Sequence, residues 1–544
     1  MPANPSLLIR HPNLLLTLSL RCFSLSSATR PSRTFTLLRT CCSSSSSSST
    51  ANSNDNVRSG RSGSLSSIPA HDLAQKIDVN PPKGTRDFPP EDMRLRNWLF
   101  HNFREVSQMF AFEEVDFPVL ESEALFIRKA GEEIRDQLYC FEDRGNRRVA
   151  LRPELTPSLA RLVIQKGKSL SLPLKWFAVG QCWRYERMTR GRRREHYQWN
   201  MDIIGVSDVT SKLRHCSFEV PNEADLLKEK LDFLMNLKTY STLLQLAAEA
   251  NEESCFWEAE AELISSIVTF FKRIGITASD VGFKVSSRKV LQEVLRCYSI
   301  PNELFGKVCI IIDKIEKVPI DEIKRELSSA ELSDEAIEEL LQVLSVKSLT
   351  KLEEKLGAAG EAVAELKLLF SLAEKFGYSE WIQFDASVVR GLAYYTGIVF
   401  EGFDREGKLR AICGGGRYDR LLSTFGGEDI PACGFGFGDA VVLELLKEKG
   451  LIPEVGQQVE NIVCALDPDL QGAAAGVATI LRGKGQSVDL VLENKPLKWV
   501  FKRASRINAR RLILVGSSEW EKREVSVKHL SSGEQYQIKV DKLE

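Results

Sequence analysis

The chain has 544 residues, a formal net charge of −1 and 43% hydrophobic residues. This length predicts roughly three or four domains of ordinary size. The near-neutral charge excludes overall basicity as a means of binding nucleic acid, so any such contact must come from local patches. No apolar run approaches the roughly 20 residues of a membrane-spanning helix. The 12 cysteines include no C-x-x-C pair, which favours reduced thiols and argues against a zinc site or another metal centre.

The first 70 residues have the composition of a targeting segment. No Asp or Glu precedes Asp55 and no Lys precedes Lys76, whereas arginines are distributed through this serine-rich sequence. Arg-rich, Ser-rich and acid-poor sequence is typical of an organellar transit peptide. A disordered tail without a targeting function is the alternative. We therefore expect residues 1–70 to direct the protein to the chloroplast, the mitochondrion or both, with ordered sequence beginning near Asp78.

The first predicted elements follow a Pro-rich opening at Pro81–Pro90. A long amphipathic helix is predicted from Glu91 to about Met109. The next strand ends in Asp116–Glu121 and contains Pro118, which cannot donate to a ladder, so we expect an edge strand or an interface. A further helix follows Leu151–Thr156.

Two strands then flank a basic loop. The first is predicted at Lys175–Glu186 and the second at His196–Gly205, and the loop Thr189–Glu195 between them is rich in arginine. A charged, solvated turn is one interpretation of this loop, and a mobile loop that meets an anionic ligand is the other.

Polar side chains alternate along both strands. Arg184 and Glu186 share one face of the first strand, and His196, Gln198 and Asp202 share one face of the second. If the two faces coincide, these groups converge on the floor of a pocket. A buried structural strand would not interleave such residues without partners, so the pattern predicts a site.

The remaining elements separate into a helical stretch and a C-terminal domain. A helix from Ala259 to about Gly275 and a strand at Val281–Ser286 precede a mostly helical segment rich in Glu, Lys and Leu, whose charges indicate a solvated face. After Pro453, strands and helices alternate over about ninety residues, enough for an independent core. They end in a predicted hairpin at Val525–Val540.

A short strand near Trp381–Phe384 leads to the segment Val388–Glu401. This segment places Arg390 beside Tyr394 and Tyr395. A guanidinium that is always charged suits a carboxylate or a phosphate, and paired phenols suit a flat polar ligand. A solvated surface turn is the alternative for such a motif on its own.

The segment 211–257 interrupts what should be a short step from strand to helix. Connections longer than about 15 residues are uncommon in compact domains. We hypothesise that it derives from a translated intron or an error in the gene model, and we predict that it is poorly ordered. An insert that folds against the core near the active site is the alternative.

Taken in order, these motifs resemble those of the histidyl-tRNA synthetases, class II aminoacyl-tRNA synthetases, of the organellar or bacterial type. The resemblance extends from Asp78 to the C-terminus apart from 211–257. Pro118 matches the proline of the first class II motif, at the dimer interface. Arg184 and Glu186 match the core of the second motif, and Arg390–Thr396 resembles a signature of this synthetase.

The resemblance implies an α+β fold with an antiparallel sheet core, a helical insertion and a C-terminal α/β anticodon-binding domain. The implied catalytic core comprises residues 78–286 and 381–450, the helical insertion 287–380, and the anticodon-binding domain 455–544. The implied activity joins L-histidine to ATP and then transfers it to the 3′ end of tRNA(His). The expected cofactor is Mg²⁺, the expected assembly is a homodimer, and no membrane partner is expected.

The resemblance also assigns roles to individual residues. Arg184 and Arg390 are the implied catalytic residues, which grip the α-phosphate from two sides and border the histidine. The other implied histidine-binding residues hold the α-amino group (Glu154 and Thr156), contact the amino acid (Gln198), read the imidazole edge (Asp202 and Tyr395) or line its pocket (Tyr394). The remaining implied ATP-binding residues are Glu186, Arg192 and His196.

Three positions depart from the family pattern. Ala393 stands where the family often has Asp, which removes a possible partner of Arg390. His196 replaces the aromatic residue that usually stacks on adenine. Gly438-Asp439-Ala440 stands where Gly-Glu-Arg is usual, so an ATP-binding arginine is absent. Arg417 and Arg420 are the alternative candidates to compensate for it.

In the C-terminal domain, five basic residues are candidate phosphate contacts for RNA, with a solvated charge as the alternative for some of them: Lys498, Lys502, Arg503, Arg506 and Arg510. The rival to an enzyme is a catalytically inactive, synthetase-like regulatory paralogue. Such proteins lose the arginine motif and the C-terminal domain, and both are present here.

Overall fold

The computed structural model describes residues 78–130, 135–207, 259–298, 300–315, 318–356, 361–392, 394–456 and 459–544. The predicted transit segment 1–70, the atypical segment 211–257 and Ala393 lie outside the described residues. What the sequence predicts for them therefore stays a prediction.

Strands are numbered in chain order. They are β1 Glu113–Glu114, β2 Leu120–Ser122, β3 Tyr139–Glu142, β4 Arg148–Leu151, β5 Leu174–Trp183, β6 Glu195–Ile204, β7 Val281–Ser287, β8 Ile382–Phe384, β9 Ile398–Asp404, β10 Cys413–Arg417, β11 Ala432–Gly438, β12 Val459–Ala465, β13 Val488–Leu490, β14 Ala509–Val515, β15 Glu524–His529 and β16 Gln535–Lys539.

Eight of these strands form the central sheet, in the order β1-β5-β6-β11-β10-β9-β7-β8. Only the two outermost pairs, β1 with β5 and β7 with β8, are parallel; the pairs between them are antiparallel. Strands from distant parts of the sequence thus become neighbours, because β6 pairs with β11 rather than with β7.

One face of this sheet is apolar and covered by two long helices. The helix Pro90–Met109 begins with a proline in its first turn, followed by acidic Glu91 and Asp92, all favourable at a helix N-terminus. Its buried Phe103 stacks on Trp199 of β6, with ring centroids 4.7 Å apart. The helix Ala259–Arg273 supplies further aromatic contacts to the same core. The opposite face is therefore the one available to a ligand.

The remaining helices join this sheet or build the neighbouring layers. Around the sheet are Glu123–Ala130, Thr156–Lys166, Leu421–Thr424 and Asp439–Glu448. Between β7 and β8 run Arg288–Cys297, Asn302–Ile312, Ile320–Ser328, Asp334–Leu344, Leu349–Leu356 and Glu361–Lys375.

A small sheet in the order β2-β4-β3 places β2 at an edge, next to Pro118, as the proline predicted. The C-terminal sheet has the order β13-β12-β14-β15-β16, in which the first three strands are parallel and the last two form a hairpin. The helices Gln471–Gly483, Leu497–Arg506 and Ser517–Trp520 accompany it. The predicted α+β class, with an antiparallel core and a separate C-terminal α/β layer, is confirmed.

Candidate active site

The open face of the central sheet has a floor of glycine. Residues directly opposite in an antiparallel pair point to the same face, and the registers of β6, β11 and β10 place five glycines on the face that carries Gln198. A Cβ added to Gly438 would meet no atom within 4 Å, and one added to Gly436 would meet only Asn200, at 3.5 Å. The five are Gly434, Gly436 and Gly438 of β11 and Gly414 and Gly416 of β10. Space for a ligand therefore lies above Gly436 and Gly438.

A buried polar pair closes one end of this floor. Asp202 of β6 leans over Gly434, where an added Cβ would lie 2.1 Å from its Oδ1 atom, and Tyr418 donates a hydrogen bond to that oxygen. Both residues are almost fully buried. Burial, together with the nearby Asp202 carboxylate, raises the pKa of the Tyr418 phenol, so it remains a donor. The closed end thus combines a carboxylate with a fixed hydroxyl group.

Tyr394 and Tyr395 line the same end. Their ring centroids lie 4.7 Å apart, and the ring of Tyr394 meets Tyr418 edge-on at 5.8 Å. Burial, reinforced by the negative charge of Glu154, raises the pKa of Tyr394. Burial likewise raises the pKa of Tyr395, against the opposing effect of Arg390. The result is an aromatic pocket with neutral hydroxyl groups, suited to a flat polar ring.

Arg184 lies on the β5 side of the floor, just past the end of that strand. Its Nε donates to the Pro153 carbonyl oxygen at 3.1 Å, and its Nη2 lies 3.9 Å from the Glu154 carboxylate. Thr156, in the same turn, accepts a hydrogen bond from Asn200 of β6 at 3.2 Å. The structure therefore brings Glu154, Thr156 and Arg184 together, and it links them to the strand that carries Asp202.

Arg390 approaches from the other side. Its guanidinium covers Gly414, where an added Cβ would lie 2.5 Å from its Cζ atom, and it forms an ion pair with Glu401 of β9. Burial disfavours the charged form, but Glu401, with Tyr395 and Asp313, raises the pKa of Arg390 overall. Glu401 therefore provides the carboxylate partner that the alanine at 393 does not. β5 and β10 are three strand spacings, roughly 14 Å, apart, so Arg184 and Arg390 approach the floor from opposite sides.

The fully buried Arg288 holds the segment that carries Arg390 in place. Arg288 donates from Nε to the Val389 carbonyl oxygen at 2.9 Å, from Nη1 to that of Tyr395 at 3.2 Å, and from Nη2 to that of Leu392 at 2.8 Å. It also donates to the carbonyl oxygen of Arg390 itself. Arg390 adopts a positive φ of 56°, a conformation that a non-glycine residue needs contacts to maintain.

Gln198 and His196 occupy the β6 side of the open floor. Their Nε2 atoms lie 3.3 Å apart. Desolvation, followed by the charges of Arg184, Arg410, Arg86 and Arg192, lowers the pKa of His196 to about 3. The ring is therefore neutral at physiological pH and offers an uncharged, flat surface.

The arginines of the β5–β6 loop are largely engaged in contacts within the chain. Arg192 donates to Glu186 at 3.1 Å, and Arg190 forms an ion pair with Glu448 at 2.6 Å. The Arg194 guanidinium lies 3.9 Å from the ring centroid of Tyr185. Glu186 and Arg192 are thus brought together as a pair beside Arg184.

The third-motif region holds a buried carboxylate, Asp439, at the position where the family pattern has Glu. Asp439 accepts from Arg86 at 2.6 Å and from the Tyr197 backbone N–H at 2.9 Å. Burial raises its pKa, although the Arg86 charge opposes this. Asp439 therefore fastens the N-terminal Arg86 to the sheet, and this arginine is not free to bind a ligand.

Arg417 cannot replace the missing arginine. It is almost fully buried, donates twice to the Glu260 carboxylate, at 2.5 and 2.8 Å, and donates to the Val206 carbonyl oxygen at 2.9 Å. The suggestion that Arg417 compensates for Ala440 is therefore wrong, because its charge is already neutralised beneath the sheet. It serves to anchor β10 to the helix Ala259–Arg273.

The described residues contain no group of three or more His, Cys, Asp or Glu side chains that could hold a metal ion by themselves. The open floor lies between Arg184 and Arg390 and beside the neutral His196, and this arrangement suits a nucleotide. None of the described helices is both long and apolar enough to cross a membrane.

Comparison with known proteins gives the family. The model of the histidyl-tRNA synthetase family matches residues 84–220 and 234–439, and that of an anticodon-binding domain matches residues 459–544. The chain belongs to the histidyl-tRNA synthetase family. It is 73% identical over 487 residues to the chloroplastic/mitochondrial histidine–tRNA ligase of Arabidopsis thaliana, covering 89% of this chain and 90% of that protein. It is 35% identical to the histidine–tRNA ligase of Opitutus terrae, covering 82% of this chain and 93% of that protein.

Solved structures agree on the fold of this histidyl-tRNA synthetase family member. The histidyl-tRNA synthetase of Nostoc sp. superposes with a TM-score of 0.61 at 22% identity, over 86% of this chain and 98% of that one. The apo enzyme of S. aureus gives a TM-score of 0.56 at 19% identity, over 85% of this chain and 98% of that one.

Sequence reasoning missed three residues that complete the site: Tyr418, Glu401 and Arg288. Glu401 ends the segment Val388–Glu401 that the sequence analysis singled out, and the alternation of β9 could have shown that it shares a face with Val399. Nothing in the sequence around Arg288 indicated that its side chain reaches a loop about one hundred residues away.

The candidate RNA contacts of the C-terminal domain are mostly free to meet a ligand. Lys498, Lys502, Arg506 and Arg510 are exposed. Arg503 differs, since it donates twice to Asp489, at 2.5 and 3.0 Å. Its charge is partly neutralised, so it is the weakest of the five candidates.

Proposed function

We propose that the chain is a histidine–tRNA ligase of the chloroplast and mitochondrion, which activates L-histidine with ATP and transfers it to tRNA(His). The observation that carries the proposal is the placement of Arg184 and Arg390 on opposite sides of an open glycine floor that ends at Asp202 and Tyr418. The 73% identity to an organellar histidine–tRNA ligase supports both the reaction and the location.

In the first step, a carboxylate oxygen of histidine attacks the α-phosphorus of ATP. The bond from that phosphorus to the bridging oxygen breaks, and histidyl-adenylate and pyrophosphate form. Charge builds up on the phosphoryl oxygens, so catalysis consists of positioning and cationic stabilisation. Arg184 and Arg390 supply planar, permanently charged donors on the two sides of the reacting phosphorus.

Mg²⁺, when bound with ATP, would neutralise phosphate oxygens of the leaving pyrophosphate. It commonly uses one or two carboxylates together with phosphate oxygens, and Glu186 and Glu401, on opposite sides of the floor, are each a candidate to supply one such contact. Both now pair with arginines of the site. A nucleotide that draws those arginines to its phosphates would release the carboxylates.

Selection of histidine rests on the closed end of the floor. Asp202 accepts a hydrogen bond from one imidazole N–H, and Tyr395 meets the ring edge. Glu154 and Thr156 bind the α-amino group, and Gln198 contacts the amino acid. A buried polar site of this kind rejects analogues that leave its groups unpaired, so glutamine or phenylalanine would be discriminated strongly.

In the second step, a terminal ribose hydroxyl of tRNA attacks the histidyl carbonyl carbon and AMP leaves. We assign no side chain as general base, and the adenylate phosphate is a suitable acceptor for the proton. The C-terminal domain would hold the anticodon through its exposed basic residues. Leu120 of β2, next to Pro118, and Phe141 of β3, at the other edge of the small sheet, are both exposed, and we assign this surface to a homodimer interface.

Histidine-dependent exchange of pyrophosphate into ATP tests the proposal. The full chain should exchange with histidine and not with glutamine, phenylalanine or threonine. Arg390→Ala should abolish exchange, and Arg405→Ala, which removes an exposed arginine of the same region, should not. A chain that binds histidine without any exchange would instead be a regulatory paralogue.

A version of the chain without residues 211–257 extends the test. If only the shortened chain exchanges, the extra segment is an inactivating insertion. If both exchange equally, the segment is compatible with the active enzyme.

A further inference from the structure

The position where the third-motif arginine is absent lies at the same end of the sheet as another arginine. In the ladder between β10 and β11, Cys413 pairs with Phe437, and the Gly438 N–H donates to the Ile412 carbonyl oxygen at 3.4 Å. Arg410 precedes Ile412 by two residues, and Ala440 follows Gly438 by two residues in the first turn of the helix Asp439–Glu448.

β6 meets the same end of β11. Gln198 of β6 pairs with Gly438, and His196 precedes Gln198 by two residues at the start of β6. Arg410, Ala440 and His196 therefore all lie at the Gly438 end of the sheet, next to the open floor above Gly438. A charge missing from the start of the helix Asp439–Glu448 can therefore be supplied from the approach to β10.

The charges around Arg410 support this placement. Its positive charge, after that of Arg184, contributes to the lowered pKa of His196. In turn, desolvation and the charge of Arg192 lower the pKa of Arg410, while Glu186 opposes them. These mutual effects indicate that Arg410 lies near His196 and Arg192.

Arg410 lacks the carboxylate contacts that engage the other site arginines. Arg192 pairs with Glu186 and Arg390 with Glu401, but among the described residues no carboxylate lies within ion-pair distance of Arg410, whose side chain is exposed. Cations gathered without neutralisation repel one another and attract a polyanion. Among the described residues, Arg410 is therefore a site arginine whose charge no carboxylate neutralises directly.

The other candidates for this charge are placed less well. Arg417 is neutralised by Glu260 beneath the sheet. Arg420 follows the end of β10 by three residues, whereas Arg410 precedes its beginning by three. The two therefore lie at opposite ends of the strand, and only Arg410 lies at the end that meets Ala440 and His196.

We propose that Arg410 binds the outer phosphates of ATP and supplies the positive charge that Ala440 does not. The inference rests on the proposed function and assigns one residue within it. Since Arg184 and Arg390 flank the floor where the α-phosphate reacts, a third cation at the Gly438 end of the floor would stabilise the pyrophosphate that leaves.

The test compares the binding of ATP and of AMP to the full chain. Removal of Arg410 should weaken ATP binding, measured by calorimetry, by about 10-fold or more, as for loss of a charge-assisted contact. AMP lacks the outer phosphates, so its affinity should stay within about 2-fold. In pyrophosphate exchange, Arg410→Ala should raise the KM for ATP and for pyrophosphate but not for histidine, and Arg410→Lys should restore part of the loss.

Lys408→Ala is the matched control, because it removes an exposed cation two residues away that pairs with Glu406. It should change neither affinity. Equal losses of ATP and AMP affinity in Arg410→Ala, or no loss at all, would overturn the assignment while wild-type exchange upholds the proposed function. A wild-type chain that neither binds ATP nor exchanges would overturn both.

Discussion

Tyr418 and Asp202, 216 positions apart in sequence, meet through a hydrogen bond above Gly434. The contact exists because β11 lies between the strand of Asp202 and the strand that leads to Tyr418. A glycine at 434 leaves the space into which both side chains lean. With its hydroxyl group committed to one carboxylate oxygen, Tyr418 holds Asp202 in one orientation at the closed end of the floor.

Tyr418→Phe tests this arrangement. Loss of one donor to a buried carboxylate should raise the KM for histidine by about 10-fold, in keeping with a hydrogen bond of about 1.5 kcal/mol to a charged group. The KM for ATP should change little, because Asp202 lies away from the phosphates. Steady-state pyrophosphate exchange measures both constants.

Tyr378→Phe serves as the control for Tyr418→Phe. Tyr378 is equally buried, and its hydroxyl donates to the Ala261 carbonyl oxygen at 2.9 Å, away from the floor. Both variants should lower the stability to urea by about 1 kcal/mol. Equal histidine KM values in the two variants would show that Tyr418 has no role beyond packing.

Two glycines of β11 should respond differently to substitution by alanine. Gly438 has φ −90° and ψ 137°, which alanine adopts without strain, and an added methyl group meets no protein atom within 4 Å. Gly438→Ala should therefore fold normally, and its methyl group should occupy space that the ligand needs. Gly434→Ala would place the methyl group 2.1 Å from Asp202 and should lower stability by about 1–3 kcal/mol.

Thermal unfolding and ATP binding together decide this comparison. Gly438→Ala should keep the wild-type unfolding midpoint and lose ATP affinity. Gly434→Ala should have a lower unfolding midpoint than the wild type. Unchanged ATP binding by Gly438→Ala would mean that the nucleotide does not lie on the glycine floor.

Arg288→Met tests how the segment around Arg390 is held. Methionine keeps apolar bulk but donates no hydrogen bond, so the carbonyl oxygens of Val389, Leu392 and Tyr395 lose their common donor. Arg390 should shift relative to the floor, and a displacement of about 1 Å is enough to lower kcat by about 100-fold. The KM for ATP should move much less than kcat.

Arg288→Lys separates positioning from stability. Lysine retains the charge but cannot reach several carbonyl groups at once, so its kcat should stay low even where its unfolding midpoint approaches the wild-type value. A kcat that recovers in step with stability would assign Arg288 a purely structural role.

The sequence allowed prediction of what depends on neighbouring residues. Strand alternation predicted that His196, Gln198 and Asp202 share a face, and they lie on β6 at the spacing that alternation requires. Helix Pro90–Met109 begins within one residue of the predicted start, since proline and two acidic residues define its first turn. These signals are local, and local chemistry is sufficient to produce them.

The contacts between distant segments could not be predicted in this way. Arg417 stood as a candidate ATP ligand because nothing near it in sequence showed that Glu260 neutralises its charge from another helix. Arg410 carried no motif, because its relation to Ala440 depends on the pairing of β10 with β11. Strand order is decided by the packing of the whole sheet, which one sequence read by pattern does not reveal.

His196 should make the stability of the protein depend on pH. Its pKa falls from 6.5 to about 3 on folding, since desolvation and the charges of Arg184, Arg410, Arg86 and Arg192 oppose its protonation. Below pH 6.5 the unfolded chain therefore binds a proton that the folded chain does not bind until about pH 3. The free energy of unfolding should fall as the pH drops through this window, by about 2 kcal/mol at pH 5.

Urea unfolding of the wild type and of His196→Phe at pH 7.5 and pH 5 measures this contribution. Phenylalanine keeps a flat ring but takes up no proton, so the wild type should lose about 2 kcal/mol more than the variant between the two pH values. His101→Phe, which changes an exposed histidine of the helix Pro90–Met109, should behave as the wild type does. The same loss in wild type and His196→Phe would mean that the ring is protonated in the folded protein. In that case the charges that surround it, Arg410 among them, would have to lie farther from the ring than the structure places them.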